Sequence, residues 1–112
     1  MTVSPTRSSR RLVIAGALTA AVLGGCADSG GDAVAARGRQ VYLAQCIQCH
    51  NANPPVDGPV GPAVKGASRE LLEAKVIRGE YPPGYSPKRP TRVMPPQPTL
   101  APDIPALAAY LK

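Results

Sequence analysis

The chain has 112 residues, room for one small domain, and its 13 basic and 7 acidic residues give a formal net charge of +6. Much of that excess sits at the front: without Arg7, Arg10 and Arg11 the chain carries ten basic against seven acidic residues, a net +3. Four Tyr with no Phe or Trp leave no platform for stacking bases, so the basic balance does not point to a nucleic-acid partner.

The three arginines precede an unbroken apolar or small-residue run from Leu12 to Gly25, which ends at Cys26. A run of this length is too short to span a bilayer comfortably, and its flanks are those of an export signal. Leu23-Gly24-Gly25-Cys26 resembles the bacterial lipobox. The expectation is a lipoprotein-type signal peptide over residues 1–25, a lipidated Cys26 as mature N-terminus, and a flexible tether over residues 26–33, since Ala27–Ala33 is small, polar and Gly-rich. The alternative is an ordinary signal peptide cleaved after Ala27. The folded domain is expected over residues 34–112.

A first helical pattern runs from about Asp32 to Cys49, with Val34, Gly38, Val41, Tyr42 and Gln45 at the three-four spacing of one face and Asp32 as cap. Gly38 costs about 1 kcal/mol of helix stability relative to Ala, so its place inside the pattern predicts the close approach of another backbone.

At the end of this helix stands Cys46-Ile47-Gln48-Cys49-His50. The two thiols lie nearly one helical turn apart, so both sulfurs face one side, and an imidazole follows at once. This is the c-type haem attachment pattern: each thiol can add to one haem vinyl while His50 reaches the iron. Zinc and dithiol redox chemistry are the alternatives for a C-x-x-C pair. A structural zinc site needs four N or S ligands, and only two thiols and one His stand here. A redox dithiol belongs to a βαβ pattern, and nothing in this chain alternates in that way. The three Cys are then assigned, one to lipid and two to haem.

From Asn51 to Pro62 the chain is rich in Asn, Pro and Gly and reads as a loop. A second helix is expected from about Ser68 to Gly79, burying Leu71, Leu72, Val76 and Ile77, exposing Arg69, Glu70, Glu73 and Arg78, and ending on Gly79 as C-cap. Glu80–Pro102 holds eight of the chain's fourteen prolines, too many for a helix or a central strand. A loop of that length needs a functional reason, such as wrapping a ligand. A last short helix starts near Asp103 as cap, tolerates Pro105 in its first turn, and places Ile104, Leu107, Ala108 and Leu111 on one face. The expected class is all-α. A mature domain this small, with few large apolar side chains, buries too little surface alone, and one haem would complete its core.

With its helices placed, the chain resembles the monohaem class I cytochromes c from about Asp32 to Lys112, in a bacterial lipoprotein form. The resemblance implies a small cytochrome c fold, with three main helices and long loops wrapped around one covalently bound haem c and its iron. It implies that Gly38, beside Tyr42, meets Leu107 and Tyr110 where the first and last helices cross. It implies that the Pro62 carbonyl accepts the second ring N–H of His50, and that Met94, in a Pro-bearing loop, is the axial ligand opposite His50; Lys88 or an open iron are the alternatives. The loop between Gly79 and Met94 departs from a minimal member of the family in its length, prolines and charge. Tyr85 and Arg92 are its candidate propionate contacts, and Lys88 and Arg89 a candidate basic rim for docking, against the plainer reading of a solvated charge run.

The function these readings imply is electron carriage, without catalysis, by an exported protein. It would be a membrane lipoprotein facing the periplasm or the cell exterior, exchanging single electrons with membrane or periplasmic redox proteins of respiratory or dehydrogenase systems. The alternatives are a cytochrome subunit of a larger oxidoreductase, or a haem enzyme or gas sensor with an open distal site.

Overall fold

A computed structural model describes residues 29–112; the expected signal segment and the lipidation site Cys26 lie outside the described residues. Helix α1 spans Ser29–Gln45. It begins three residues before the expected start and takes in the last five residues of the expected 26–33 tether. Asp32 falls in its first turn, where a carboxylate complements the helix dipole, and adding residues to a nucleated helix costs little. The buried face is narrower than the spacing implied. Gly38, Val41 and Tyr42 are buried, whereas Val34 is 44% exposed and Gln45 is exposed, because only the middle of α1 is covered by another element.

That element is the last helix, here α3, Ile104–Leu111. Ile104, Leu107 and Leu111 are almost wholly buried against α1. The crossing point is Gly38, where an added Cβ would run into the Ala106 carbonyl and come within 2.9 Å of the Tyr110 Cβ. The close partner is therefore the Ala106 backbone together with Tyr110, rather than Leu107, whose side chain serves the core. The Tyr42 and Tyr110 rings meet beside this crossing with centroids 5.6 Å apart.

The middle helix begins as α2, Arg69–Leu72, with the Ser68 hydroxyl capping it by accepting from Leu71 N at 3.1 Å. It continues as a π-helical segment, Glu73–Arg78, and stops at Gly79, whose φ of 73° is the left-handed cap conformation expected there. Leu72 and Val76 are buried as expected, with Leu71 and Ile77 partly so. Ala74 is also buried, because the wider π turns rotate later residues relative to α-helical spacing.

The proline-rich loop is not irregular to its end. Pro98–Asp103 forms a 3-10 helix with one proline at its start and Pro102 inside it, and leads straight into α3. Asp103 is thus already in a right-handed conformation and makes no side-chain cap; its carboxylate instead accepts from Arg37 on α1 at 2.9 and 3.2 Å. Among the described residues there is no strand, and the all-α expectation with three helices holds. Two short backbone bonds close the frame, Gln97 N to Val76 O and Gly66 N to Leu111 O, both 2.6 Å. The core is small: Val41, Tyr42, Leu72, Val76, Ile104, Leu107 and Leu111. At about 1.5–3 kcal/mol per large apolar side chain, so few residues are a modest counterweight to ordering the chain.

Candidate haem site

The site begins where α1 runs out. Helical hydrogen bonding continues past Gln45, with Cys46 N bonding Tyr42 O at 2.9 Å and His50 N bonding Cys46 O at 3.0 Å. Cys46 and Cys49 are therefore held on one turn, as their spacing predicts, with His50 directly after them.

The loop that follows folds back onto this turn. Cys49 O accepts from both Val60 N, at 3.2 Å, and Gly61 N, at 2.8 Å. A Cβ at Gly58 would collide with Cys49 O, and one at Gly61 would lie 2.5–2.9 Å from three atoms of the His50 ring. Glycine at both positions lets the loop lie flat on the imidazole. Pro62 O then comes 2.8 Å from His50 Nδ1. A carbonyl only accepts, so Nδ1 carries the proton and the Nε2 lone pair is the one left for a metal.

Side chains fix this loop from behind. Tyr42 donates to Asn51 O at 2.6 Å, the Asn51 side chain reaches Asp57 O at 3.3 Å, and Asp57 Oδ1 accepts from Ala63 N at 2.7 Å. Burial pushes the Tyr42 phenol up to about 12, with Cys46 and Tyr110 adding to the shift. Burial likewise pushes the Cys46 thiol up to about 11, so it is held neutral.

Cys46, Cys49 and His50 open onto a cleft of about 350 Å³. Its floor is apolar, formed by Val64, Leu71, Leu72, Val76, Leu107 and Leu111, and the half-buried Met94 lines it too. The Gly79–Met94 loop supplies another wall, where Tyr81 and Tyr85 stack with centroids 5.4 Å apart and Lys75 Nζ sits 4.3 Å above the Tyr81 ring. Tyr85, expected near the propionates, lines the cleft. Arg92 is exposed and is not part of the lining, although Thr91 and Val93 on either side of it are.

The cationic lining consists of Lys65, Lys75, Lys88 and Arg89, and no carboxylate joins it. Lys65 and Lys75 escaped the sequence reading. Lys75 had a signal: it follows Leu71 by four residues, on the same helical face. Among the described residues no three His, Cys, Asp or Glu side chains come together as a metal-ion cluster, so a zinc centre lacks its ligand set.

Haem fits the residues present. Two thiols on one turn, an imidazole with Nε2 uncommitted, an apolar cleft and a cationic lining that includes Lys65 and Lys75 match its shape and chemistry. Fold and site together define a small all-α c-type haem protein. A family model described as Cytochrome c matches residues 35–112, and the chain belongs to that family. It is a haem-based electron carrier with covalently bound haem c and its iron. Comparison with curated proteins and with solved structures returns no match.

Proposed function

We propose that this protein is a membrane-anchored cytochrome carrying single electrons between respiratory or dehydrogenase partners, with His50 and Met94 as the two axial ligands. The observation that supports the ligand assignment is the Pro62 acceptor on His50 Nδ1, which leaves the Nε2 lone pair available to the iron, together with Met94 in the same cleft. The bound group supplies a one-electron ferric/ferrous couple, and a thioether opposite the imidazole raises its potential. Pro62 orients the His50 ring and makes it more basic. Leu72, Val76, Leu107 and Leu111 keep water from the cleft floor, and Met94 closes the position at which an external ligand would otherwise enter. Tyr85 serves as a propionate contact, with Lys65 and Lys75 as the nearby cations.

Cys26 carries the lipid and Cys46 and Cys49 the haem. Burying lipid chains gains about 0.8 kcal/mol per CH₂, and two or more chains hold a protein stably at a membrane. Export to the periplasmic or outer face follows from the signal pattern. Val60 and Val93, at the cleft, are 43% and 64% exposed, and Ile47 within the Cys46–His50 motif is 39% exposed. Apolar surface of this kind suits contact with a redox protein, and also favours the second reading, a subunit docked in a larger oxidoreductase; size-exclusion of a native membrane extract separates the two.

The test of carriage is a potentiometric titration of the matured protein combined with exposure of its reduced form to carbon monoxide. A single one-electron wave without carbon monoxide binding is expected. Ready carbon monoxide binding would mean an open sixth position and a haem enzyme or gas sensor instead.

A further inference from the structure

Lys88 and Arg89 were expected to form a basic rim for docking, yet each donates to the segment around Pro62. Lys88 Nζ donates to Ala63 O at 2.8 Å and Arg89 Nη1 donates to Val60 O at 3.3 Å. Arg89 Nη2 stands 3.5 Å from Asp57 Oδ2. All three acceptors belong to the 57–63 segment, on both sides of Pro62, the residue that orients His50. Both cations stand on the loop that carries Met94 five and six residues later. Asp57 is itself braced, since its other carboxylate oxygen takes Ala63 N. The two loops that bring the candidate ligands to the cleft are thus tied to each other.

We propose that Lys88 and Arg89 are positioning residues: they clasp the Met94 loop to the Pro62 loop and hold the Met94 sulfur in place opposite His50. This rests on the His/Met reading above. In the segment from Glu80 to Pro95 five prolines lack an N–H, and of the other residues only Glu80 and Tyr85 donate to backbone carbonyls, so side chains carry much of its attachment. Releasing the clasp raises the fraction of molecules in which the Met94 loop stands open. An external ligand that needs the open form then binds more tightly in proportion to that fraction.

The probe is imidazole, titrated into the ferric, haem-loaded full-length protein. Arg89→Gln is expected to tighten apparent imidazole binding about threefold, within what one exposed ion pair is worth, and Lys88→Met with Arg89→Gln about tenfold. Arg89→Lys, which keeps one donor and the charge, should fall between Arg89→Gln and wild type. Arg37→Gln breaks another exposed ion pair, to Asp103, outside the cleft lining. It should leave imidazole binding unchanged, which separates a clasp from general loosening. Wild-type affinity in the double variant, or an equal shift in Arg37→Gln, overturns the clasp while the axial assignment stands. A wild-type ferric protein without the weak red-edge band of an iron–thioether bond overturns the axial assignment, and the clasp with it.

Discussion

The His50 wall of the cleft is held by main-chain bonds backed by Tyr42, Asn51 and Asp57, whereas the Met94 wall has main-chain bonds near its ends, Glu80 N to Ala74 O and Gln97 N to Val76 O, and leans on side chains between them. On the first side, Cys46, His50, Val60 and Gly61 all use main-chain groups, and Gly58 and Gly61 let the two segments touch. On the second, Pro82, Pro83, Pro87, Pro90 and Pro95 remove main-chain donors. Between its ends the loop is fastened by Lys88, by Arg89 and by Lys75, whose ammonium sits over the Tyr81 ring. A segment that gives up its N–H groups gains a stiff, extended path around a ligand, and must then be positioned by longer and more mobile attachments. The wall that must stay fixed for haem attachment is the one built from backbone. The wall that leans on side chains is the one that the Lys88 and Arg89 variants are expected to loosen.

Substitutions in the frame behind the fixed wall should have the largest effects. Leu107→Ala deletes a side chain that is 1% exposed at the centre of the core and is expected to cost about 2–5 kcal/mol in a denaturant titration of the haem-loaded protein. A loss near zero would mean that the α1–α3 crossing contributes little to either wall. Gly61→Ala is next: a Cβ driven against the His50 ring must displace ring or loop, at about 1–3 kcal/mol, with weakening of the Nδ1–Pro62 bond. Its signature is a change in reduction potential as well as in stability, and an unchanged potential would dissociate the loop from His50. Tyr42→Phe is smaller, about 1 kcal/mol for the lost bond to Asn51 O. Because the Tyr42 phenol is raised to about 12 in the folded protein, its neutral form is favoured there. Its contribution is complete below the unfolded value of about 10 and is lost as the pH rises from there through about 12. The alkaline decline in wild-type stability should therefore be shallower in Tyr42→Phe.

The same contrast explains what could be read before any coordinates. The Cys46–His50 motif, Gly38 as a point of close approach, Ser68 before the middle helix and Gly79 after it are set by local spacing or by residues with narrow conformational roles, whereas Pro62 as acceptor for His50 followed from the resemblance to the class I cytochromes c. Asp103 does stand directly before α3 as expected, but its carboxylate makes no cap because it is taken by Arg37, 66 positions away, which local spacing does not encode. Ala106 was missed at the crossing because its contribution is a backbone carbonyl, which no side-chain pattern encodes. The 3-10 turn at Pro98–Asp103 was hidden by its two prolines, Pro98 tolerated in the first turn and Pro102 inside it. The engagement of Lys88 and Arg89 with Ala63, Val60 and Asp57 is a long-range match between two loops, beyond the reach of composition or periodicity.

The most direct measurement is the absorption spectrum of the matured protein, oxidised and reduced, compared with that of Met94→Ala. Low-spin spectra with a weak red-edge band in the oxidised wild type, and loss of that band in Met94→Ala with covalent haem retained, are the expected results. A high-spin wild type, or a band that survives Met94→Ala, would contradict the placement of haem between His50 and Met94.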